Sequence, residues 1–266
     1  MKAYVVDSAA VRSNLQILKD RAGSAVLWAV LKGDGYGLGL VQMAAICREA
    51  GVTHFAVTEV SEVSRLRAGG FSDADILMLR PTADADELTQ LLNLGAILTV
   101  SSQNDAAVLN GVAEKLGVQA QVHVKIDTGM GRYGFLPDEL DQLLPIFKYM
   151  PGLHVTGIYT HLHSAFCNQK ATIAQAEVER GKESVLLAFF DDAVAGADIR
   201  VGQLKLDGDL AGHVGLADLF RLKDLEHDNV RIGHRAVVDK IVLAHKGAPL
   251  IGQDRFFVSH NDLRTS

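Results

Sequence analysis

The sequence predicts an α/β protein folded as a closed (β/α)₈ TIM-type barrel, and three observations point there. Short apolar runs of strand length alternate with longer stretches of helical period, which calls for parallel strands joined by crossover helices. The strand runs are continuously apolar rather than alternating in polarity, as in a sheet covered on both faces. About eight such units fit within roughly 230 residues, near the ~250 that a barrel of this kind takes. A doubly wound open sheet is the rival, but no G-x-G-x-x-G follows the first strand.

Element by element, the expected strands are 26–31, 55–58, 76–79, 97–100, 122–126 and 155–160. Between them run helical patterns at 40–49, 59–68, 83–94, 104–116 and 138–147, most of them closed by a glycine such as Gly51, Gly69, Gly95 or Gly117. Glycine past the last periodic residue is the expected stop, because it enters the left-handed conformation at no steric cost. Beyond Lys170 the rhythm loosens. A long helix is expected at 175–190, a seventh strand at 199–206 and an eighth at 229–232. The barrel is expected over residues 1–234. Residues 235–266 form a short tail with one more strand-like run at 237–244, followed by a polar stretch.

Composition narrows the class. The chain has 266 residues, 48% apolar and 22% charged, so it can bury a core and is neither disordered nor a disulfide scaffold. Its two cysteines, Cys47 and Cys167, suit a reducing compartment. A net charge of −6 argues against a nucleic-acid partner. No apolar run approaches the ~20 residues that cross a bilayer, and Asp7 interrupts any export signal. A soluble cytoplasmic protein is expected, with no membrane partner.

Reactive groups of a barrel collect at the C-terminal ends of its strands. The first expected strand runs into Lys32-Gly33-Asp34-Gly35-Tyr36-Gly37. A lysine there has a buried stem and an amine at the barrel mouth, where partial desolvation makes it a better nucleophile toward an aldehyde. On position alone, a snorkelling lysine in a glycine-rich turn explains it equally. The fifth strand ends in Lys125-Ile126-Asp127, with Arg132 after a glycine-softened loop. That is either an anion site or a surface loop with a local ion pair. The sixth ends in His161-Leu162-His163, a metal pair or a stacking and hydrogen-bonding pair. The eighth ends in Arg231-Ile232-Gly233-His234, a cation beside a glycine N–H suited to phosphate.

Together these motifs resemble the N-terminal barrel of the alanine racemases, the fold-type III pyridoxal-phosphate enzymes. The likeness lies in A-V-x-K-x-x-x-Y-G-x-G at 29–39, K-I-D-T-G-M-G-R-x-G at 125–134 and T-H-x from residue 160. It runs from near Val5 to about Ala165 and thinly on to Arg231. The resemblance implies pyridoxal 5′-phosphate as cofactor and an isomerase that interconverts L- and D-alanine, the route to D-alanine. Lys32 would form the Schiff base and act as a base at the substrate Cα. Tyr36 would hydrogen-bond the phosphate. Arg132 would contact the cofactor phenolate and the substrate carboxylate, and Lys125 would hold Arg132. His161 would stack on the pyridine ring, Arg231 would face its nitrogen, and Gly233 and His234 would lie near the phosphate. No metal is implied.

Three departures from the family pattern set further expectations. The Asn-Ser pair usual after the seventh strand is replaced by Gly212-His213-Val214-Gly215-Leu216-Ala217. The tail at 235–266 is a remnant or the start of the family's C-terminal β-domain rather than all of it. The five tyrosines, Tyr4, Tyr36, Tyr133, Tyr149 and Tyr159, all precede residue 160. The partner-subunit tyrosine that serves the family as second acid would then be absent. A positioned acid or base contributes ~10²–10⁴ in rate, so weak or altered racemisation is expected, with a monomer or homodimer left open. Two alternatives stand beside this reading. One is a barrel that carries pyridoxal phosphate without catalysis. The other is a metal-dependent barrel hydrolase using His161, His163 and Lys125, with further histidines among His123, His213 and His234.

Overall fold

In the computed structural model, Asp7 ends strand β1 (Ala3–Asp7) and caps helix α1 (Ser8–Ala22). Its carboxylate accepts the N–H groups of Ala9 at 3.0 Å and Ala10 at 3.2 Å, two of the donors that a helix start leaves without partners. The structure describes residues 3–23, 25–139, 143–162, 174 and 255–259, which fall into two compact units, 3–74 with 255–259 and 75–162.

In the first unit α1 is followed by β2 (Trp28–Val30), a tight turn α2 (Lys32–Tyr36), α3 (Leu40–Glu49), β3 (His54–Val57) and α4 (Val60–Ala68). β2 and β3 pair in parallel, Trp28 opposite His54 and Val30 opposite Ala56. β1 pairs antiparallel with β8 (Arg255–Ser259), Val5 opposite Phe257. Leu40, Met43, Ala44, Ile46 and Cys47 form the buried stripe of α3. Burial pushes the Cys47 thiol up to about 12, which keeps it protonated and inert. Phe55 of β3 meets Phe71 edge-on with ring centroids 5.5 Å apart, and the Arg48 guanidinium lies 4.2 Å from the Phe71 ring centroid.

The second unit runs β4 (Asp75–Met78), α5 (Ala85–Asn93), β5 (Ile97–Val100), α6 (Gln103–Leu116), β6 (Ala120–Lys125), α7 (Leu144–Tyr149) and β7 (Leu153–Tyr159). The strands β4 to β7 lie side by side in chain order, all parallel. All four residues of β5 are buried. Its polar member, Thr99, donates to the Met78 carbonyl at 2.7 Å and pairs with the Tyr159 hydroxyl at 2.9 Å. A buried hydroxyl is tolerated because its hydrogen-bonding capacity is met inside the sheet.

The six strands expected between residues 26 and 160 are present with ends shifted by one or two residues. The helix expected at 138–147 is described only as the shorter Leu144–Tyr149. Three elements were not anticipated. α1 carried a legible signal, Asp7 as cap with Val11, Leu15 and Leu18 on one buried face. β1 is a short run directly before it. β8 lies in what the sequence presented as polar tail, since its apolar core is only Phe256-Phe257-Val258. The expected helix at 175–190 and the strand runs at 199–206, 229–232 and 237–244 lie outside the described residues.

Phe71 is 1% exposed, so Phe71→Ala should lower unfolding free energy by about 3–5 kcal/mol through lost burial and an unfilled cavity. A urea melt that keeps its slope and moves its midpoint down would show it.

Candidate active site

The first element of the site is the chain segment that leaves β2. Leu31 is fully buried, Lys32 is half-buried, and the next five residues, Gly33 to Gly37, all have positive φ. Gly33 (63°, 44°), Asp34 (56°, 46°) and Gly35 (64°, 39°) sit in the left-handed helical region. Their hydrogen bonds are helical too: Gly35 N–H to Leu31 at 2.7 Å, Gly37 N–H to Gly33 at 2.8 Å and Gly39 N–H to Asp34 at 2.9 Å, each to the carbonyl oxygen. The result is one left-handed turn directly after the lysine. Glycines occupy three of its five positions without strain, but Asp34 and Tyr36 each incur about 1–2 kcal/mol there.

Helix α4 supplies what holds that turn. Glu62, 4% exposed, accepts the Asp34 N–H on Oε1 at 2.9 Å. Its Oε2 accepts the N–H groups of Thr58 at 3.0 Å and Glu59 at 3.2 Å. Arg65, one turn along, donates to the Asp34 carboxylate at 2.6 Å, and the same oxygen accepts the Leu40 N–H at 3.0 Å. Hydrogen bonds to a charged group contribute about 1.5–3 kcal/mol each, enough to offset the strain at Asp34 and Tyr36.

The second unit, by itself, places its candidate residues at the ends of β6 and β7. Lys125 is 1% exposed, and its ammonium donates to the Tyr133 carbonyl at 3.1 Å and the Ile126 carbonyl at 3.4 Å. Asp127 organises the loop that follows. One carboxylate oxygen accepts the N–H groups of Gly129 at 2.9 Å and Gly131 at 3.1 Å, and the other accepts that of Arg132 at 2.8 Å. Burial by itself would raise this carboxyl's pKa; the three N–H donors and the Lys125 charge outweigh it and bring it down to about 2. The loop closes where Phe135 returns to β6, its N–H on the Lys125 carbonyl and its carbonyl receiving the Asp127 N–H, both at 2.9 Å.

Gly134 makes that closure sterically feasible. Its φ is +129°, and a Cβ there would stand 2.8 Å from the Asp127 nitrogen. At the tip the Arg132 guanidinium lies 4.7 Å from the Tyr133 ring centroid and donates to the Tyr133 hydroxyl at 3.4 Å. Tyr133 donates to the Leu79 carbonyl at 3.0 Å, and the Tyr159 hydroxyl, whose single proton is shared between Thr99 and that same carbonyl, lies 3.2 Å from it. Burial, only partly offset by the Thr99 hydroxyl, raises the Tyr159 pKa further above its ordinary value.

Within the first unit, then, Lys32 and Tyr36 share one turn. Within the second, Lys125 and Arg132 meet around Tyr133, and His161 lies two residues past the end of β7, exposed. His123 faces Gly157 across the β6–β7 pair, where a Cβ would touch its ring at 2.8 Å. Arg231, Gly233 and His234 lie outside the described residues, as do His163, His213 and the stretch 212–217.

Sequence reasoning did not single out Glu62 or Arg65, and it left Asp127 as one half of an ion pair. An acid in the first turn of a helix is a capping signal, but nothing in the sequence says that its second oxygen reaches residue 34.

Comparison with known proteins fits this geometry. The family model "Alanine racemase, N-terminal domain" matches residues 6–198. The chain belongs to the alanine racemase N-terminal domain family. Its fold is accordingly the α/β barrel of that family. The alanine racemase of Desulforamulus reducens is 38% identical over 159 residues, 59% of this chain and 42% of that enzyme. The chain thus spans under half the length of this relative. The alanine racemase structure from Clostridium difficile 630 superposes with a TM-score of 0.67 at 26% identity, covering 77% of this chain and 56% of that one. The alanine racemase of Bacillus anthracis, crystallised with bound L-Ala-P, gives 0.64 at 29% identity over 75% of this chain and 50% of its own.

Two outcomes test the loop. Gly134→Ala should lower stability by about 2–3 kcal/mol, because the turn must move off the β6 backbone or distort; a thermal melt checks it. The stability that Asp127 contributes is complete above its unfolded pKa of about 4 and is lost as pH falls through about 2. Asp127→Asn should therefore flatten the acid limb of the stability curve between pH 4 and 2, by an amount on the order of 2 kcal/mol.

Proposed function

We propose that this chain binds pyridoxal 5′-phosphate through Lys32 and serves amino-acid racemisation of the alanine racemase type, with alanine as substrate. The observation that carries the reading is the amine of Lys32 at the end of β2, held at the head of a fixed turn that also bears Tyr36. The donor set fits the cofactor. A half-buried primary amine suits an aldehyde, a phenol in the same turn suits a phosphate, and the cationic Arg132 suits phenolate and carboxylate anions. Family membership supports the same cofactor.

When bound, pyridoxal phosphate supplies the electron sink that acidifies the substrate Cα–H. The chain's own residues have the following proposed roles. Lys32 would hold the cofactor through its aldehyde and would remove or return the proton at the substrate Cα on its face. Tyr36 donates to the phosphate. Arg132 orients the substrate carboxylate, and Tyr133, under its guanidinium, limits where that group can swing. Lys125 fixes the carbonyls of Ile126 and Tyr133 and so the root of the Arg132 loop. When the cofactor is bound, His161 would cover the pyridine ring, and Arg231 would face its nitrogen, with Gly233 and His234 by the phosphate. A guanidinium donates without giving up its proton, which keeps that nitrogen neutral and favours return of the proton over side reactions.

All five tyrosines of the 266 residues stand at or before Tyr159. We therefore propose that these residues, tested by themselves, exchange the Cα proton faster than they invert the centre. The proposal further takes the barrel as residues 1–234, the stretch 235–266 as a short C-terminal tail that is a remnant or the start of the β-domain, and the protein as a cytoplasmic homodimer. Among the described residues no helix is long and apolar enough to cross a membrane.

The deciding experiment mixes purified protein with pyridoxal phosphate, reduces with borohydride and maps the attached residue. Attachment at Lys32, lost in Lys32→Ala, is expected; identical behaviour of the two proteins sinks the assignment. Incubation with L-alanine in deuterated water, read by mass and by chiral chromatography, should give deuterium at Cα in excess of D-alanine, with inversion slowed by ~10²–10⁴ relative to a two-base enzyme. No exchange with any amino acid would favour a cofactor carrier.

A further inference from the structure

We propose that Glu62 of α4 is a positioning residue for Lys32, acting by locking the left-handed turn Gly33–Gly37; this rests on the cofactor reading above. The argument begins with the backbone. A lysine at a strand end has two soft dihedrals ahead of it, and the direction of its amine follows the path that the chain takes next. Here that path has five successive residues at positive φ, two of them with side chains. L-residues do not hold such a run unaided.

The buried Glu62 carboxylate bridges the two chain segments that matter. One oxygen takes the Asp34 N–H in the middle of the turn, and the other takes the Thr58 and Glu59 N–H groups where β3 passes into α4. The turn after β2 is thereby fastened to the end of the neighbouring strand, and Lys32 and Tyr36, at its two ends, are held at one mutual spacing. Arg65 adds a second hold on the same residue through the Asp34 side chain. Capping α4 needs only one of the two Glu62 oxygens. The other is spent on the turn that carries the amine.

The amide of Glu62→Gln cannot serve both sides, because its NH₂ must face N–H donors on one of them. The two-donor side at Thr58 and Glu59 should keep the oxygen, and Asp34 should lose its acceptor. Two readouts follow on the full chain. Amide hydrogen exchange across 33–39 in the cofactor-free protein should speed up, and pyridoxal phosphate titration with borohydride fixation at Lys32 should shift to higher concentration. Each should change ~10–100-fold, the equivalent of one hydrogen bond to a charged group. Adding Asp34→Gly should recover at least part of the titration shift, because glycine holds the left-handed conformation unaided. A role confined to capping α4 would give no such recovery.

Wild-type exchange and titration in Glu62→Gln would overturn the proposal, and so would a weakened Glu62→Gln that Asp34→Gly leaves unimproved. If Glu62→Gln does not fold, Arg65→Met removes the other hold from a half-exposed side chain. It should speed exchange across 33–39, and unchanged exchange would count against the lock. A wild-type protein that fixes no cofactor at Lys32 would end the cofactor reading by itself, while exchange in cofactor-free Glu62→Gln would still decide whether Glu62 holds the turn.

Discussion

The backbone immediately after β2 is the constraint on which the candidate site depends. A left-handed turn is the least favourable way for an L-polypeptide to continue, and this chain uses it directly after Lys32. Glycine at 33, 35 and 37 lowers the strain but does not remove it, because Asp34 and Tyr36 remain. The remaining cost is met by bonds from a different helix, α4, whose Glu62 and Arg65 both hold Asp34.

The second unit solves a similar problem with a similar device. Asp127 gathers three backbone N–H groups, as Glu62 does, and the loop 128–134 bends around it. In both units a buried carboxylate acts on the main chain. The Asp127 carboxyl is held down to about 2 by the N–H groups it gathers. Its charge is already committed to the N–H groups that shape the Arg132 loop. The hydroxyls of Tyr133 and Tyr159 are likewise occupied. Tyr133 and Tyr159 share the Leu79 carbonyl, and Tyr159 also meets Thr99.

Legibility in the sequence followed the range of the interaction. The strands were readable because a parallel strand covered on both faces is apolar along nearly its whole length, as at 76–79. The helices 40–49 and 103–116 were readable from their periodicity and stops, which are local. β8 was not, since a three-residue apolar run in a polar stretch becomes a strand only when β1 pairs with it. Lys32, Tyr36, Lys125 and Arg132 were legible as motif residues. Glu62 and Arg65 were hidden, because they lie about 30 positions from Asp34 and look like ordinary members of an amphipathic helix.

The sequence by itself determined the alternation of strand and helix, the family, and which side chains stand at strand ends, because all of these depend on residues within a few positions of one another. Only the tertiary structure decided the hand of the turn after Lys32, the second use of the Glu62 carboxylate and the commitment of Asp127 to backbone donors. Those features arise from contacts between segments distant in sequence, or from a backbone conformation that local preference opposes and that packing alone can hold.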